Sequence, residues 1–157
     1  MQRIVIDSSV LVEGFAFSAT KNFEYYATNS VIEELESKLG DEKVEALRIM
    51  GLNVAQPSEF NVTKVEEIAS AIGETPRLSE ADIDILALAI EIGAAILTDD
   101  YSIQNVAKEL GIKYIAFAQR GITKKILWKY RCTGCNKYFQ NFLTICPICG
   151  LRVKTVR

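Results

Sequence analysis

The sequence predicts a three-layer α/β domain with a mainly parallel central sheet, followed by a small β module that contains all four cysteines. Two observations predict this organisation. Short apolar strand segments alternate with helical segments up to about residue 118, which is the pattern of a parallel sheet covered by helices. Beyond them, four cysteines are confined to residues 132–149. We place the α/β domain at residues 1–120, a linker at 121–127, and the zinc-binding module with a basic tail at 128–157.

The charge distribution separates the same two parts of the chain. The 18 Lys and Arg residues nearly balance the 20 Asp and Glu residues, for a net charge of −2. Residues 1–118 contain every acidic residue and carry a net charge of −11, whereas residues 119–157 carry +9. Positive charge clustered in so small a module favours a polyanion such as nucleic acid as its partner.

Composition excludes several classes of function. Histidine is absent, so imidazole cannot serve as general base, nucleophile activator or metal ligand. With 49% hydrophobic and 24% charged residues, the chain can bury a core. Asp7 interrupts the region where a signal peptide needs apolar residues, and no apolar run is long enough to cross a bilayer. We therefore expect a cytoplasmic protein without a membrane partner; the sequence leaves its oligomeric state open.

Each element of the α/β domain has a local sequence signature. Apolar runs rich in β-branched and aromatic residues predict strands at 3–7, 23–28, 52–57, 94–98 and 112–118. Helical periodicity between start and stop signals predicts helices at 8–15, 29–40, 41–51, 62–73, 79–93 and 100–111. Segment 79–93 is apolar on almost every side beyond its first turn, so we expect it to be a central, buried helix.

The cysteines predict one structural zinc ion. They form the motifs CTGC and CPIC, separated by ten residues: Cys132, Cys135, Cys146 and Cys149. Two such knuckles supply four thiolates for tetrahedral zinc, with Gly134 and Gly150 where tight turns are needed. Two disulfides or a redox motif are the alternatives. An intracellular location disfavours disulfides, and redox motifs do not usually occur as a matched pair.

Residues around the cysteines predict contacts with single-stranded RNA. If residues 126–131 form a strand, its aromatic residues share one face and its basic residues share the other. Cations hold phosphates and aromatic rings stack on bases. Alternatively, the rings form the core of so small a module, which makes the basic residues the safer prediction. The predicted contacts are Lys124, Lys125, Lys129, Arg131, Lys137, Trp128 and Tyr130.

Acidic residues collect where the predicted strands end. Asp7 ends the first strand, and Asp99 and Asp100 follow the fourth. The C-terminal ends of parallel strands share one edge of the sheet, where open α/β folds bind ligands. Asp82, in the first turn of the buried helix, and Glu34, after the second strand, belong to the same edge. Converging carboxylates repel one another unless a divalent cation lies among them, and such hard oxygen ligands suit Mg²⁺ or Mn²⁺.

Several of these carboxylates also have a structural interpretation. Ser79 and Asp82 match the spacing of a capping box at a helix N-terminus. Asp99 or Asp100 fits a helix N-cap. The spacing does not decide which of these two is the better metal ligand.

Helix geometry separates two other pairs. Asp82 and Asp84 lie about 200° apart around a helix, so they cannot both face one site. Glu33 and Glu34 can both belong to a solvated face. Glu34 is closer to the apolar stripe of its helix, which makes it the better candidate for a site at the edge of the core.

The motifs resemble those of PIN-domain nucleases in order and spacing: DSSVL at 7–11, VIEEL at 31–35, LSEADIDILALA at 78–89 and LTDDYSIQN at 97–105. With the four-cysteine ribbon added, essentially the whole chain is similar to archaeal Nin-one-binding (NOB) ribosome-maturation endonucleases. The resemblance implies a PIN-like fold and a single-strand-specific endoribonuclease that matures the 3′ end of the small-subunit ribosomal RNA precursor. The implied partners are that RNA, the small-subunit precursor particle and its assembly factors.

The resemblance also implies the residues of the active site. The acidic positions of the family correspond to Asp7, Glu34, Asp82 and Asp100, with Asp99 assisting and Ser9 at a polar position beside the first aspartate. One or two Mg²⁺ or Mn²⁺ ions held by Asp7, Asp82 and Asp100 would activate the attacking water without histidine. The alternatives are a non-catalytic RNA-binding assembly factor, a toxin-type PIN ribonuclease, which the appended ribbon argues against, and a DNA-directed role.

Overall fold

The computed structural model describes residues 2–15, 22–117, 129–139 and 143–156. The chain divides into two compact units, Met1–Lys124 and Lys125–Arg157. The linker predicted at 121–127 lies outside the described residues, so the domain boundaries stay a prediction. None of the helices in the described ranges has the length and apolar character needed to cross a membrane.

The sheet of the first unit is parallel between every pair of neighbouring strands that the structure describes. Its strands are β1 (Gln2–Ile6), β2 (Phe23–Ala27), β3 (Leu52–Val54), β4 (Ala95–Leu97) and β5 (Tyr114–Ile115), in the order β3-β2-β1-β4-β5. The chain runs outward from β1 to β3 and then crosses to β4 on the other side of β1. The switch point of the sheet, where open α/β sheets bind ligands, therefore lies between β1 and β4.

The predicted helices are all present in the first unit. They are α1 (Ser8–Val12), α2 (Asn29–Leu39), α3 (Asp41–Ile49), α4 (Glu59–Ala71), α5 (Glu80–Ile92) and α6 (Tyr101–Glu109). Helix α4 begins three residues before its periodic pattern does, because Ser58 caps it by accepting the backbone N–H of Asn61. A short 3-10 helix at Thr75–Arg77, with proline in its first turn, was not predicted.

Helix α5 is the central helix of this unit, as predicted. It packs against β1 and β4 and also contacts α2, α4 and α6. Its buried side chains are apolar except for Asp84. The helix ends at Gly93, which adopts the left-handed conformation (φ 65°) that favours glycine at this position. The three-layer α/β fold with a mainly parallel sheet is confirmed.

The second unit is a small antiparallel sheet in the order β7-β6-β8. Its strands are β6 (Lys129–Cys132), β7 (Tyr138–Phe139) and β8 (Val153–Val156). Residues 153–156, which we expected to be part of a basic tail, instead pair with β6. This pairing satisfies the edge of β6 that β7 leaves open. The small β module predicted around the cysteines is confirmed.

Candidate active site and metal centre

Asp7 lies at the switch point, directly after β1, and is only 6% exposed. Its backbone N–H donates to the carbonyl of Leu97 (3.0 Å), which extends the β1–β4 ladder by one residue. Its Oδ2 accepts hydrogen bonds from Thr98 Oγ1 (2.8 Å) and Ser9 Oγ (3.2 Å). Burial raises the pKa of Asp7, the two hydroxyls partly offset this rise, and the charge of Asp100 adds to it. The two hydroxyls thus fix the orientation of the Asp7 carboxylate, while burial and the charge of Asp100 make its ionised form unfavourable.

Asp99 and Asp100 have different partners. Asp100 is the N-cap of α6, and its Oδ1 accepts two backbone N–H groups of the first helical turn (2.8 and 3.2 Å). Its own N–H donates to Thr98 Oγ1 (3.0 Å), the hydroxyl that also donates to Asp7. Asp99 Oδ1 instead accepts the backbone N–H of Phe117 (2.8 Å), beyond β5. Asp100 is therefore linked to Asp7 through Thr98, whereas this contact of Asp99 points to the β5 side.

Asp82 completes a capping box at the start of α5. Ser79 Oγ accepts the N–H of Asp82 (3.2 Å), and Asp82 Oδ2 accepts the N–H of Ser79 (2.9 Å). The structural interpretation of this pair is correct, but it does not account for the electrostatics of Asp82. Burial raises the pKa of Asp82 to about 6; hydrogen bonds from Ser79 oppose the rise, and the charges of Asp100 and Asp7 add to it. The three aspartates therefore share one electrostatic environment.

Glu34 approaches the same region from α2. Its Oε2 accepts a hydrogen bond from Ser8 Oγ (2.6 Å), and Ser8 directly follows Asp7. Glu33, in contrast, is exposed. Hydrogen bonds and like-charge interactions thus link Asp7, Ser9, Asp82 and Asp100 at the sheet edge, and Glu34 is joined to them through Ser8, the neighbour of Asp7.

Sequence reasoning missed two hydroxyl donors at this edge. Thr98 is fully buried and donates to Asp7, while Ser8 is 5% exposed and donates to Glu34. Thr98 directly follows β4, and Ser8 begins α1 two residues after β1 ends. Both therefore lie at the sheet edge, where a buried carboxylate needs hydrogen-bond donors. Hydroxyl residues beside predicted strand ends could therefore have been predicted as hydrogen-bond donors to the acids, although the sequence does not show which carboxylate each hydroxyl contacts.

The acidic edge fits a divalent cation by donor chemistry and charge. Its ligands are carboxylate oxygens, which Mg²⁺ and Mn²⁺ prefer. Burial and like charge both disfavour ionisation of Asp7 and Asp82, and a cation among them would offset both effects. Among the residues that the structure describes, the cysteines form the one potential metal-binding group whose ligand atoms all lie within 4.8 Å of one another. The carboxylates are spread more widely.

We predict that Asp82→Asn stabilises the protein near pH 8 without Mg²⁺ or Mn²⁺. The folded-state pKa of Asp82, about 6, exceeds the ordinary value of 3.8, so protonation of Asp82 stabilises the folded protein. The wild type loses this stabilisation as the pH rises through 6, whereas asparagine has no charge to gain. The asparagine oxygen still accepts the Ser79 hydrogen bond but carries no charge. We expect a gain of about 1 kcal/mol, because solvent screens a partly exposed carboxyl and reduces the effect of the shift.

Urea unfolding of the zinc-loaded protein at pH 8 and pH 5 measures this gain. The advantage of Asp82→Asn over the wild type should shrink or vanish at the lower pH, where wild-type Asp82 is mostly protonated. An advantage of equal size at both pH values would contradict the assignment.

The cysteine cluster has the dimensions of a zinc site. Its four sulfurs lie within 4.8 Å of one another, and all four cysteines are free thiols. The Sγ–Sγ distances are 3.2 Å for Cys132–Cys149 and 3.8 Å for Cys135–Cys146. Tetrahedral zinc with bonds of about 2.3 Å requires sulfurs about 3.8 Å apart. The geometry fits one zinc ion and does not support the two-disulfide alternative.

Backbone amides support the thiolates of both knuckles. The N–H of Gly134 donates to Cys132 Sγ (3.3 Å), and that of Ile148 donates to Cys146 Sγ (3.4 Å). Burial opposes ionisation of Cys132, but the backbone amides of Cys135 and Gly134, together with the thiols of Cys149 and Cys135, lower its pKa to about 6. Gly134 lies in a turn of the first knuckle and Gly150 has a positive φ of 77°, as tight turns require. A Cβ at Gly134 would also displace the exposed side chain of Leu151.

The predicted RNA contacts are only partly described. Lys124, Lys125 and Trp128 lie outside the described residues, as does the side chain of Lys129. Lys137 is exposed. Tyr130 packs against the small core around Cys132 and Val153, which is the structural role that we named as the alternative for the aromatic residues.

The opposite face of this sheet carries a row that the sequence did not reveal. The strand register places Tyr138 and Lys154 on either side of Arg131, and directly paired residues share a face. The ring of Tyr138 is 61% exposed, and Lys154 is exposed as well. Arg131 Nε is buried without a hydrogen-bond partner in the described ranges. Lys154 was missed because strand β8 was not predicted.

Comparisons with known proteins define the class. Residues 4–92 match the family described as the PIN domain of ribonuclease, and residues 78–127 match the PINc domain ribonuclease family. The fold resembles that of VapBC-1 from nontypeable Haemophilus influenzae, with a TM-score of 0.54 and 13% identity over 75% of this chain and 100% of that one. The chain therefore has the fold and the family signature of a PIN-domain ribonuclease.

Two curated relatives are more specific. Endoribonuclease Nob1 of Pyrococcus abyssi is 38% identical over 157 residues, which cover 98% of this chain and 93% of that protein. Ribonuclease VapC1 of Thermoplasma acidophilum is 42% identical over 126 residues, which cover 80% of this chain and 64% of that protein. The chain belongs to the Nob1 family of PIN-domain endoribonucleases, which confirms the resemblance seen in its motifs.

Proposed function

We propose that this endoribonuclease is metal-dependent, cleaves single-stranded RNA and matures the 3′ end of the small-subunit ribosomal RNA precursor. The observation that carries the metal dependence is a buried carboxylate, Asp7, that ends β1 at the switch point and is joined to Asp100 through Thr98. Burial and the charges of Asp100 and Asp7 also raise the pKa of Asp82 beside them. Similarity to Nob1 along nearly the whole chain supports the substrate. The net charge of +9 over residues 119–157 supports RNA contacts outside the acidic unit.

Each residue at the acidic edge has a distinct role in this proposal. Asp7, Asp82 and Asp100 would hold one or two Mg²⁺ or Mn²⁺ ions, and Glu34 would complete the site. Such an ion would supply the positive charge needed to lower the pKa of the attacking water and to offset charge developing on the phosphate. The hydroxyls of Thr98 and Ser9 orient Asp7 by holding its Oδ2. Asp100 is oriented by the cap that its Oδ1 forms on α6.

The bond changes follow from hydrolysis without a histidine. Water attacks phosphorus in line, the bond to the 3′ oxygen breaks, and the products are a 5′ phosphate and a 3′ hydroxyl. The chain contains no imidazole to accept the proton of the water, so this proton passes to a carboxylate or to solvent.

The cysteine module has a separate task. One zinc ion held by its four thiolates stabilises a fold too small to persist on its apolar core alone. Its cations attract the RNA backbone, which the acidic unit repels, so affinity should fall steeply with salt. Tyr138, Arg131 and Lys154 form the described row best suited to contact RNA. The cellular partners in this proposal are the precursor particle of the small subunit and its assembly factors.

Cleavage of a labelled RNA that spans the 3′ end of the small-subunit precursor tests the proposal. With zinc-loaded protein and Mn²⁺, we expect one cut at the mature end, and a DNA strand of the same sequence should remain intact. Cuts scattered over unrelated RNAs would favour the toxin-type activity that the likeness to VapC1 raises. Binding without cleavage, on naked RNA and on precursor particles alike, would favour the assembly-factor alternative.

Asp100→Asn and Asp99→Asn form a matched pair for the same assay. We expect Asp100→Asn to lower the cleavage rate at least about 100-fold, because it removes a charge coupled to Asp7 and Asp82. Its amide oxygen can still cap α6, so the fold should persist. Asp99→Asn should lower the rate less than about 10-fold, since its Oδ1 contact is with Phe117. If Asp99→Asn lowered the cleavage rate more than Asp100→Asn does, Asp99 rather than Asp100 would be the metal ligand.

A further inference from the structure

Asp84 is a buried carboxylate that the proposed mechanism does not use. It is 6% exposed, and the other buried side chains of α5 are apolar. Its Oδ2 accepts a hydrogen bond from Ser30 Oγ at 2.6 Å. Burial of a charged group is unfavourable unless that group is paired, and a leucine or alanine would suit this helix face better. Packing alone therefore does not explain why an aspartate occupies this position.

Ser30 belongs to a chain of hydroxyls at the start of α2. Its Oγ lies 3.0 Å from Thr28 Oγ1, and Thr28 Oγ1 accepts the backbone N–H of Val31 (3.3 Å) as the helix cap. Thr28 is fully buried. Through Ser30, Asp84 thus holds the first turn of a helix that is 54 residues away in sequence.

The two helices joined by this bond each carry one acid of the candidate site. Glu34 lies one helical turn after Ser30 on α2, and Asp82 lies two residues before Asp84 on α5. Glu34 contacts the site from one side, through Ser8, and Asp82 approaches with α5. The Ser30–Asp84 bond therefore joins α2 and α5 within one helical turn of Glu34 on the first helix and of Asp82 on the second.

We propose that Asp84 is a positioning residue whose bond to Ser30 fixes the spacing between Glu34 and Asp82. The inference rests on the proposed function, because it assumes that these acids form the metal site. Asp84 need not touch substrate or metal to act in this way. A displacement of about 1 Å at a reacting site is enough to lower a rate about 100-fold, so a small shift of one helix has a measurable effect.

The chain offers a matched control at the other end of α5. Ser58 Oγ donates to Glu91 Oε2 (2.8 Å), and Glu91 lies about 14 Å along the helix from Asp82. Ser30→Ala and Ser58→Ala each remove one hydroxyl–carboxylate bond between α5 and the start of another helix. Each also removes one local contact at that helix start, which is the contact of Ser30 with Thr28 or the cap that Ser58 forms on α4. Ser30→Thr and Asp84→Asn are conservative variants that keep a donor and an acceptor, respectively.

The test measures Mn²⁺ binding by calorimetry, together with kcat and KM for RNA, on the zinc-loaded full chain. We expect Ser30→Ala to weaken Mn²⁺ binding and to lower kcat, each about 10-fold, with KM for RNA within about twofold of wild type. Ser58→Ala, Ser30→Thr and Asp84→Asn should behave like the wild type. Ser30→Cys, which keeps the size and weakens the donor, replaces Ser30→Ala if that variant does not fold.

The outcomes separate this inference from the function on which it rests. If Ser30→Ala loses stability but binds Mn²⁺ as tightly as Ser58→Ala does, the inference is wrong and the proposed function stands. Loss of Mn²⁺ binding in Asp84→Asn would assign the effect to charge rather than position, which also overturns it. A wild-type protein that neither binds Mn²⁺ nor cleaves RNA would overturn both.

Discussion

Asp7→Asn is expected to abolish RNA cleavage, by about 1000-fold or more, without weakening RNA binding. Asparagine has nearly the same size, and its amide oxygen can still accept the hydrogen bonds from Thr98 and Ser9. The fold should therefore persist. The lost charge is the one coupled to both Asp82 and Asp100, so the site should lose its hold on a divalent cation.

A second readout makes this prediction sharper. The charge of Asp7 helps to raise the pKa of Asp82 to about 6, so Asp7→Asn should lower that pKa, as measured by carbon-detected NMR titration without Mg²⁺ or Mn²⁺. Glu33→Gln is the control, because Glu33 is an exposed acid on the helix that carries Glu34. A variant that retains a tenth of wild-type cleavage would remove Asp7 from the proposed metal site.

Cys146→Ser should release zinc, unfold the second unit and weaken RNA binding about 100-fold at low salt. Cys146 is 1% exposed and belongs to the small core of this unit, so its loss affects both the metal and the packing. Few other apolar side chains are available to hold the strands together. The cations of β6 and β8 would then no longer share one ordered face.

Zinc content and fluorescence anisotropy with labelled RNA check this second prediction. Wild-type protein should contain one zinc per chain and show a steep salt dependence of binding, and the variant should lose both. The cleavage rate at saturating RNA should change much less than the affinity, because the proposed reacting residues belong to the first unit. Unchanged RNA affinity in zinc-free protein would overturn the assignment of RNA binding to this module.

Asp7→Asn and Cys146→Ser separate two activities, cleavage by the acidic first unit and RNA binding by the basic second unit. The first unit concentrates negative charge at the switch point of a parallel sheet, which suits metal-assisted chemistry and opposes binding of RNA. The second carries positive charge on a small sheet that contains the four-cysteine cluster. We expect cleavage variants to change kcat and ribbon variants to change KM, with little overlap.

Local signals predicted most of the secondary structure. Apolar periodicity and caps such as Ser79 and Gly93 lie within a few residues of the elements that they define, so a linear reading detects them. The same reading started α4 three residues late, because the cap at Ser58 precedes the apolar pattern. It missed β8, whose pairing with β6 joins segments about 25 residues apart.

The acidic positions were predictable because strand ends in a parallel sheet share an edge. Their environments were not. The N-cap predicted at Asp99 or Asp100 is a local feature, and the structure places it at Asp100. The contact of Asp99 with Phe117 and the hydroxyl donors that meet Asp7 and Glu34 instead depend on which side chains come together in the folded chain. Neither spacing nor helix periodicity contains that information.

The sequence by itself determined the fold class, the two modules, the cysteine cluster and the family, since these depend on local pattern, composition and motif order. Only the tertiary structure decided that Tyr130 packs into the ribbon core and that Ser30 holds Asp84. It also decided that Thr98 orients Asp7. The last two are contacts between residues 54 and 91 positions apart, and the physical reason is that burial and hydrogen bonding are settled by packing of distant segments.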